Sequence, residues 1–300
     1  MRRTLSLPLT FLVVLIIALA VFLLIEVPSS RRPGLPSSSS GKRATATAPV
    51  PPPNKGFSSK APGHRTVPVS KPPKSKAAAS PKAAIIMDDM GNSLESIRAL
   101  CALGRPITAA VLPFAAETRP TVDAAAACGL EVMLHLPLES LEKPRRTPEG
   151  TISAGMTREE VRRGVQACLD QVPGCVGVNN HAGSKVTEDG ETMPMILEVI
   201  REKGLYFIDS RTTSASVAYE TARRLGIRAA ERNVFLDGTL DELAIKARIE
   251  ELFQIARDRG WAVGICHPKP ETLAALRKYI AFAESYGVTL VFASDIVEQP

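Results

Sequence analysis

From Ala83 onward the sequence is punctuated by short apolar runs, each too short to be a helix and each bounded by longer stretches with helical periodicity. The runs are AAIIM (83–87), ITAAVL (107–112), EVML (131–134), CVGV (175–178), LYFI (205–208), IRAA (227–230), AVGIC (262–266) and VTLVFA (288–293). Continuous apolar runs of this length read as strands buried on both faces, the signature of a parallel sheet covered by helices. Between them lie amphipathic segments at Leu94–Leu103, Arg158–Gln171 with Thr157 as N-cap, Thr192–Lys203, Ser216–Leu225, Asp241–Arg259 and Thr272–Ser285. Strand and helix alternating in this way predict an α/β fold, either a parallel barrel or a doubly wound sheet, and the span of residues 83–300 fits a (β/α) barrel of seven or eight strands.

The polar residues fall at the ends of these runs. AAIIM is followed by Asp88 and Asp89, EVML by His135, CVGV by Asn179, Asn180 and His181, LYFI by Asp209 and AVGIC by His267. In a parallel barrel the C-terminal strand ends share one face, so five separate segments bring carboxylates and imidazoles to one cleft. Taken singly, each has an ordinary explanation: a strand-end His can satisfy a carbonyl and an Asp can cap the next helix. Taken together, Asp and His with few thiols suit a borderline divalent cation such as Zn²⁺, with a second carboxylate free to accept a proton and a separate His free to donate one. Asp88 and Asp89 would face opposite ways in a regular strand, so their joint use requires the strand to end between them. Gly91 and Gly183 fit the backbone turns that follow Asp89 and His181.

The first 82 residues are of another kind. Phe11–Ile25 carries no polar side chain and, with its flanks, reaches the roughly 20 residues needed to cross a bilayer, so residues 1–27 read as an uncleaved signal anchor. Arg2 and Arg3 favour a cytoplasmic N-terminus and hence an extracytoplasmic domain on a single-pass inner-membrane protein. Residues 28–82, with 12 prolines and a four-serine run, read as a disordered linker, and His64 within it is set apart from any chemistry. The formal charge of +6 belongs to these segments: residues 1–82 hold 13 of the 37 Lys and Arg and one of the 31 acids, leaving the remainder at net −6. A domain of that sign, with one Trp and four Tyr in the whole chain, is not a nucleic-acid binder. The five cysteines show no Cys-x-x-Cys spacing and read as buried free thiols, with a Cys168–Cys175 disulfide as the alternative.

Six segments in order, IIMDDMGNS (85–93), HLPLE (135–139), GVNNHAGS (177–184), FIDSRTTS (207–214), RNVFLD (232–237) and GICHPKPETLAAL (264–276), give the chain its resemblance to the polysaccharide deacetylase superfamily (carbohydrate esterase family 4, NodB-like), in particular its divergent branch. The resemblance implies a deformed (β/α) barrel of seven or eight mostly parallel strands and a metal-dependent deacetylase acting on a glycan of the cell envelope. It implies Asp88 as base, Asp89 and His135 as metal ligands and His267 as general acid. The superfamily's second motif is His-x-x-x-His, whereas this chain reads HLPLE, so the third ligand is open between Glu139 and His181, with His181 preferred. The superfamily's Arg-Pro-Pro-Tyr motif is also absent. Asn180, Asp209 and Arg211 stand as further ligand or substrate contacts. A glycan-binding or envelope-assembly protein that kept the barrel and lost turnover is the competing expectation.

Overall fold

The computed structural model describes residues 80–142 and 144–297. The expected anchor at 1–27, and the linker at 28–82 except for its last three residues, lie outside that range. Lys82, placed in the linker from sequence, already belongs to the first strand, paired with Trp261 and Thr289. No helix among the described residues is long and apolar enough to cross a membrane.

The elements run β1 (Lys82–Met90), α1 (Leu94–Cys101), β2 (Thr108–Val111), α2 (Thr118–Ala127), β3 (Val132–Leu138) and α3 (Arg158–Gln171). They continue through β4 (Gly177–Ala182), α4 (Ser184–Glu188), α5 (Thr192–Glu202), β5 (Tyr206–Asp209), α6 (Ala218–Arg224), β6 (Ala229–Glu231) and β7 (Val234–Phe235). The chain ends with α7 (Glu242–Arg259), β8 (Trp261–Cys266), α8 (Pro270–Tyr279) and β9 (Thr289–Val291). All eight expected strands are present. The two-residue β7 is additional, being too short to register as a run, and the Ala-rich α2 and five-residue α4 were not foreseen for want of a clear apolar stripe. The last expected helix ends at Tyr279 and continues as a 3₁₀ segment, Ile280–Tyr286.

Every strand pair is parallel, in the order β6-β5-β4-β3-β2-β1-β8-β7, with β9 added beside the N-terminal half of β1. The sheet curls until its two ends nearly meet. β6 and β7 do not pair, but the two residues between them bridge the gap: the Arg232 N–H donates to Asp209 O (2.9 Å) on one side and the Asn233 N–H to Val263 O (2.9 Å) on the other. The barrel is thus closed by a corner of chain rather than a ladder.

Side-chain alternation sorts the strands into two cores. Ala83, Ile85 and Met87 face the helices, while Ala84 and Ile86 face the barrel interior with Met133, Tyr206, Ile208, Val263 and Ile265. Helix α7 shows the complementary pattern, burying Ile245, Ile249, Leu252, Phe253 and Ala256 along one stripe. Helix α3 starts where its sequence says it should: Thr157 and Glu160 form a reciprocal capping box, a device that contributes about 1 kcal/mol.

Two of the five cysteines differ from the expected free thiols. Cys101 and Cys128 form a disulfide across 27 residues, tying the last residue of α1 to the C-cap of α2, while Cys168, Cys175 and Cys266 are free. Cys168 and Cys175 stay apart because one lies on the buried face of α3 and the other enters β4 after the turn at Gly174.

Candidate functional site

The interior phase of each strand decides which polar residues meet. Asp88 continues the interior series Ala84, Ile86; His135 continues Met133; His267 continues Val263 and Ile265. Asp89 falls in the opposite phase, yet its φ of +57° breaks the alternation and β1 carries a register irregularity between Met87 and Met90. The local break turns both carboxylates toward one cleft, with Gly91 (φ +111°) completing the turn. On β4, Asn179 sits opposite His135 in register, and Asn179 and His181, two residues apart, share a face.

Asp89, His135 and His181 each offer one ligand atom to a common point, the only such group of three among the described residues. Asp89 Oδ1 lies 3.0 Å from His181 Nδ1 and 3.3 Å from His135 Nε2, and the two ring nitrogens are 3.1 Å apart. Asp89 Oδ1 is buried and makes no hydrogen bond despite these neighbours. An ion held by tetrahedral ligands at about 2.0–2.1 Å separates them by about 3.3 Å, an octahedral one by about 2.9 Å, so the triangle has the size of a coordination face. Two imidazoles and one carboxylate fit Zn²⁺ and its neighbours in the transition series. Burial opposes ionisation of Asp89, but its contacts with the two imidazoles outweigh that and hold its carboxyl well below the usual range.

Around this triangle stand two further groups. Asp88 is buried, with Oδ1 accepting from Asn179 Nδ2 (2.8 Å) and Oδ2 lying 3.6 Å from His135 Nε2. Burial raises its carboxyl pKa, with His135, Asn179 and His267 working in the opposite sense. His267 approaches from β8, its Nε2 4.0 Å from Asp89 Oδ2. Asp237 holds it by two contacts, to the backbone N–H (2.7 Å) and ring Nδ1 (3.1 Å), and Thr272 Oγ1 donates to the same carboxylate (3.0 Å). Burial lowers the His267 pKa, but the Asp237 hydrogen bond and charge, with Asp89 and Asp88 behind them, carry the net shift upward.

The other candidates are engaged elsewhere. Glu139 accepts from Lys185 Nζ (2.7 Å) and the Ala154 N–H (3.0 Å), outside the triangle. Asn180 braces backbone, with Oδ1 accepting from the Ser210 N–H (2.8 Å) and Nδ2 donating to Ala182 O (2.8 Å). Asp209 falls in the helix-facing phase and accepts from the Arg211 N–H, Ser216 Oγ and the Tyr219 N–H at the approach to α6. Arg211 donates to Ser216 O and pairs with Glu231. Three participants were not foreseen in these roles: Asn179, Asp237 and Arg232, whose guanidinium is held by Ser210 O and Arg211 O and is favoured in its charged form by the carboxylates of Asp88 and Asp209. Asp237 carried a weaker signal, as the acid that closes the short segment RNVFLD.

A cleft of about 370 Å³ opens beside His181, lined by Glu139, Arg146, Thr151 and Ser153 among others. Its walls mix these polar groups with the apolar surfaces of Leu138, Pro144 and Pro148, a lining that suits a small ring with hydroxyl substituents. A larger cleft of about 650 Å³ lies off the triangle, between β7 and α7.

Known proteins carry the same framework. Residues 85–297 match the family described as divergent polysaccharide deacetylase. An uncharacterized protein of Haemophilus influenzae is 32% identical over 199 residues, 66% of this chain and 71% of that protein. The uncharacterized protein YibQ of Escherichia coli K12 is 32% identical over 219 residues, 73% of this chain and 68% of that one. The crystal structure of an uncharacterized protein from Agrobacterium tumefaciens C58 superposes with a TM-score of 0.68 at 23% identity, covering 74% of this chain and 91% of the other, and shares the fold. The chain belongs to the divergent polysaccharide deacetylase family.

Proposed function

We propose that this protein is a metal-dependent hydrolase that removes acetyl groups from an N- or O-acetylated glycan of the cell envelope. The observation that carries the reading is the triangle of Asp89, His135 and His181, closed to 3.0–3.3 Å around a buried carboxylate oxygen without a hydrogen bond. Asp89 Oδ1, His135 Nε2 and His181 Nδ1 would hold the ion. When bound, a divalent ion there lowers the pKa of a water and polarises a carbonyl oxygen.

The chain's own groups divide the proton transfers. Asp88, its pKa raised by burial, accepts the proton of the attacking water through Oδ2, the oxygen that Asn179 leaves free. His267, with Nδ1 tied to Asp237, turns Nε2 toward the cleft and delivers a proton to the departing amine or alcohol. Its raised pKa keeps the donor form present at neutral pH. The cleft beside His181 takes the sugar.

The domain works outside the cytoplasm, held to the inner membrane by residues 1–27 across the linker. The Cys101–Cys128 disulfide supports that placement, because such bonds persist in oxidising compartments. The test is acetate release from acetylated envelope glycans by the full chain supplied with Zn²⁺ or Co²⁺. Release that falls at least a hundredfold in Asp88→Asn and His267→Ala supports the reading; stoichiometric metal uptake with no release from any acetylated glycan would leave a glycan-binding protein instead.

A further inference from the structure

Asn179 is completely buried on β4, directly opposite His135 on β3. Its amide is fully committed. Oδ1 faces His135 Nδ1 at 2.8 Å, and Nδ2 lies 2.8 Å from Asp88 Oδ1 and 3.3 Å from Ser210 Oγ. Only one orientation satisfies these contacts, because a flipped amide would set its oxygen against a carboxylate oxygen. With Oδ1 toward the imidazole, His135 Nδ1 must carry the proton and donate. The lone pair then sits on Nε2, the nitrogen that faces Asp89 and His181.

We infer that Asn179 is a positioning residue with two separable tasks: it fixes the His135 tautomer that a cation needs, and it orients the Asp88 carboxylate through Nδ2. This inference rests on the reading of Asp89, His135 and His181 as a metal site. A partner that fixes the tautomer of a metal-binding His is worth about 10–100-fold in affinity. The chemistry of the side chain separates the two tasks. A carboxylate at this position still accepts from His135 Nδ1 but cannot donate to Asp88, whereas an isosteric apolar side chain does neither.

The experiment uses the full chain as wild type, Asn179→Asp and Asn179→Leu, with His135→Ala as reference. Zn²⁺ affinity is measured by competition with a chromophoric chelator, thermal stability is measured without metal, and the His135 tautomer is read in the wild type by long-range ¹H–¹⁵N NMR. The expected result is a protonated Nδ1 in the metal-free wild type, Zn²⁺ affinity lowered about 10–100-fold in Asn179→Leu and Zn²⁺ affinity kept within about threefold in Asn179→Asp. In the acetate assay Asn179→Asp loses kcat by about a hundredfold with KM unchanged. Asn179→Leu binding Zn²⁺ like the wild type would overturn the inference alone, as would equal losses of affinity in both variants or a His135 tautomer protonated at Nε2. A wild type that takes up no more Zn²⁺ than His135→Ala would overturn the metal site and the inference with it.

Discussion

Replacing Cys101 and Cys128 by Ser together removes the cross-link between α1 and α2. The bridge closes a loop of 27 residues, and the chain-entropy relation gives a loop of that length about 3.5 kcal/mol of restraint on the unfolded state. For a domain of this size each kcal/mol moves the melting temperature by about 2–4 °C, so the double variant melts about 7–14 °C lower. Urea unfolding of the oxidised wild type and the double variant measures the same quantity, and the unlinked chain shows the larger m-value because its unfolded state exposes more surface. Thiol titration supplies the chemical check: three free thiols per chain in denaturant without reductant and five after reduction. In the native state Cys168 and Cys175 stay unreactive, since burial pushes their pKa values up to about 12 and about 11. Five titratable thiols in protein recovered from an oxidising compartment, or a double variant as stable as the wild type, would refute both the bond and its use as a marker of location.

Two further perturbations test the barrel interior. A Cβ on Gly177 would lie 2.3 Å from the buried Tyr206 ring, so Gly177→Ala costs about 1–3 kcal/mol in urea unfolding, and a cost below about 0.5 kcal/mol would show that the ring moves freely aside. Burial and then the charge of Glu131 raise the Tyr206 pKa well above 10, so the folded state favours the neutral phenol. That stability is intact below the unfolded value near 10 and is lost as pH rises toward the folded value, at about 1.4 kcal/mol per pH unit; Tyr206→Phe should flatten the alkaline limb by that slope, and equal slopes would contradict the assignment.

The strands and the common face were legible because buried parallel strands write themselves as apolar runs and the polar residues follow directly. Strand phase, which sets Asp88 and Asp89 apart in a regular strand, also separates the remaining candidates. Asp209 ends its run just as Asp88 does, but Tyr206 and Ile208 hold the interior phase, so Asp209 faces α6 instead of the cleft. By the same period, Asn179 rather than Asn180 shares a face with His181. Asp89 defies the period, and its left-handed φ is invisible in sequence except through Gly91 two residues later. Glu139 has the spacing of a second-motif ligand and was the alternative to the preferred His181, but Lys185 and the Ala154 N–H hold its carboxylate. The disulfide joins helices whose adjacency depends on the order of β1, β2 and β3, which no local spacing of cysteines records.

The proposed metal site is tested most directly by metal analysis of the full chain after dialysis against Zn²⁺, in the wild type and in Asp89→Ala, His135→Ala, His181→Ala and Glu139→Gln. The wild type and Glu139→Gln should each retain one equivalent, and the other three should retain none. Loss of the ion in Glu139→Gln with retention in His181→Ala, or a wild type that holds no ion, would contradict the assignment of Asp89, His135 and His181 as the site.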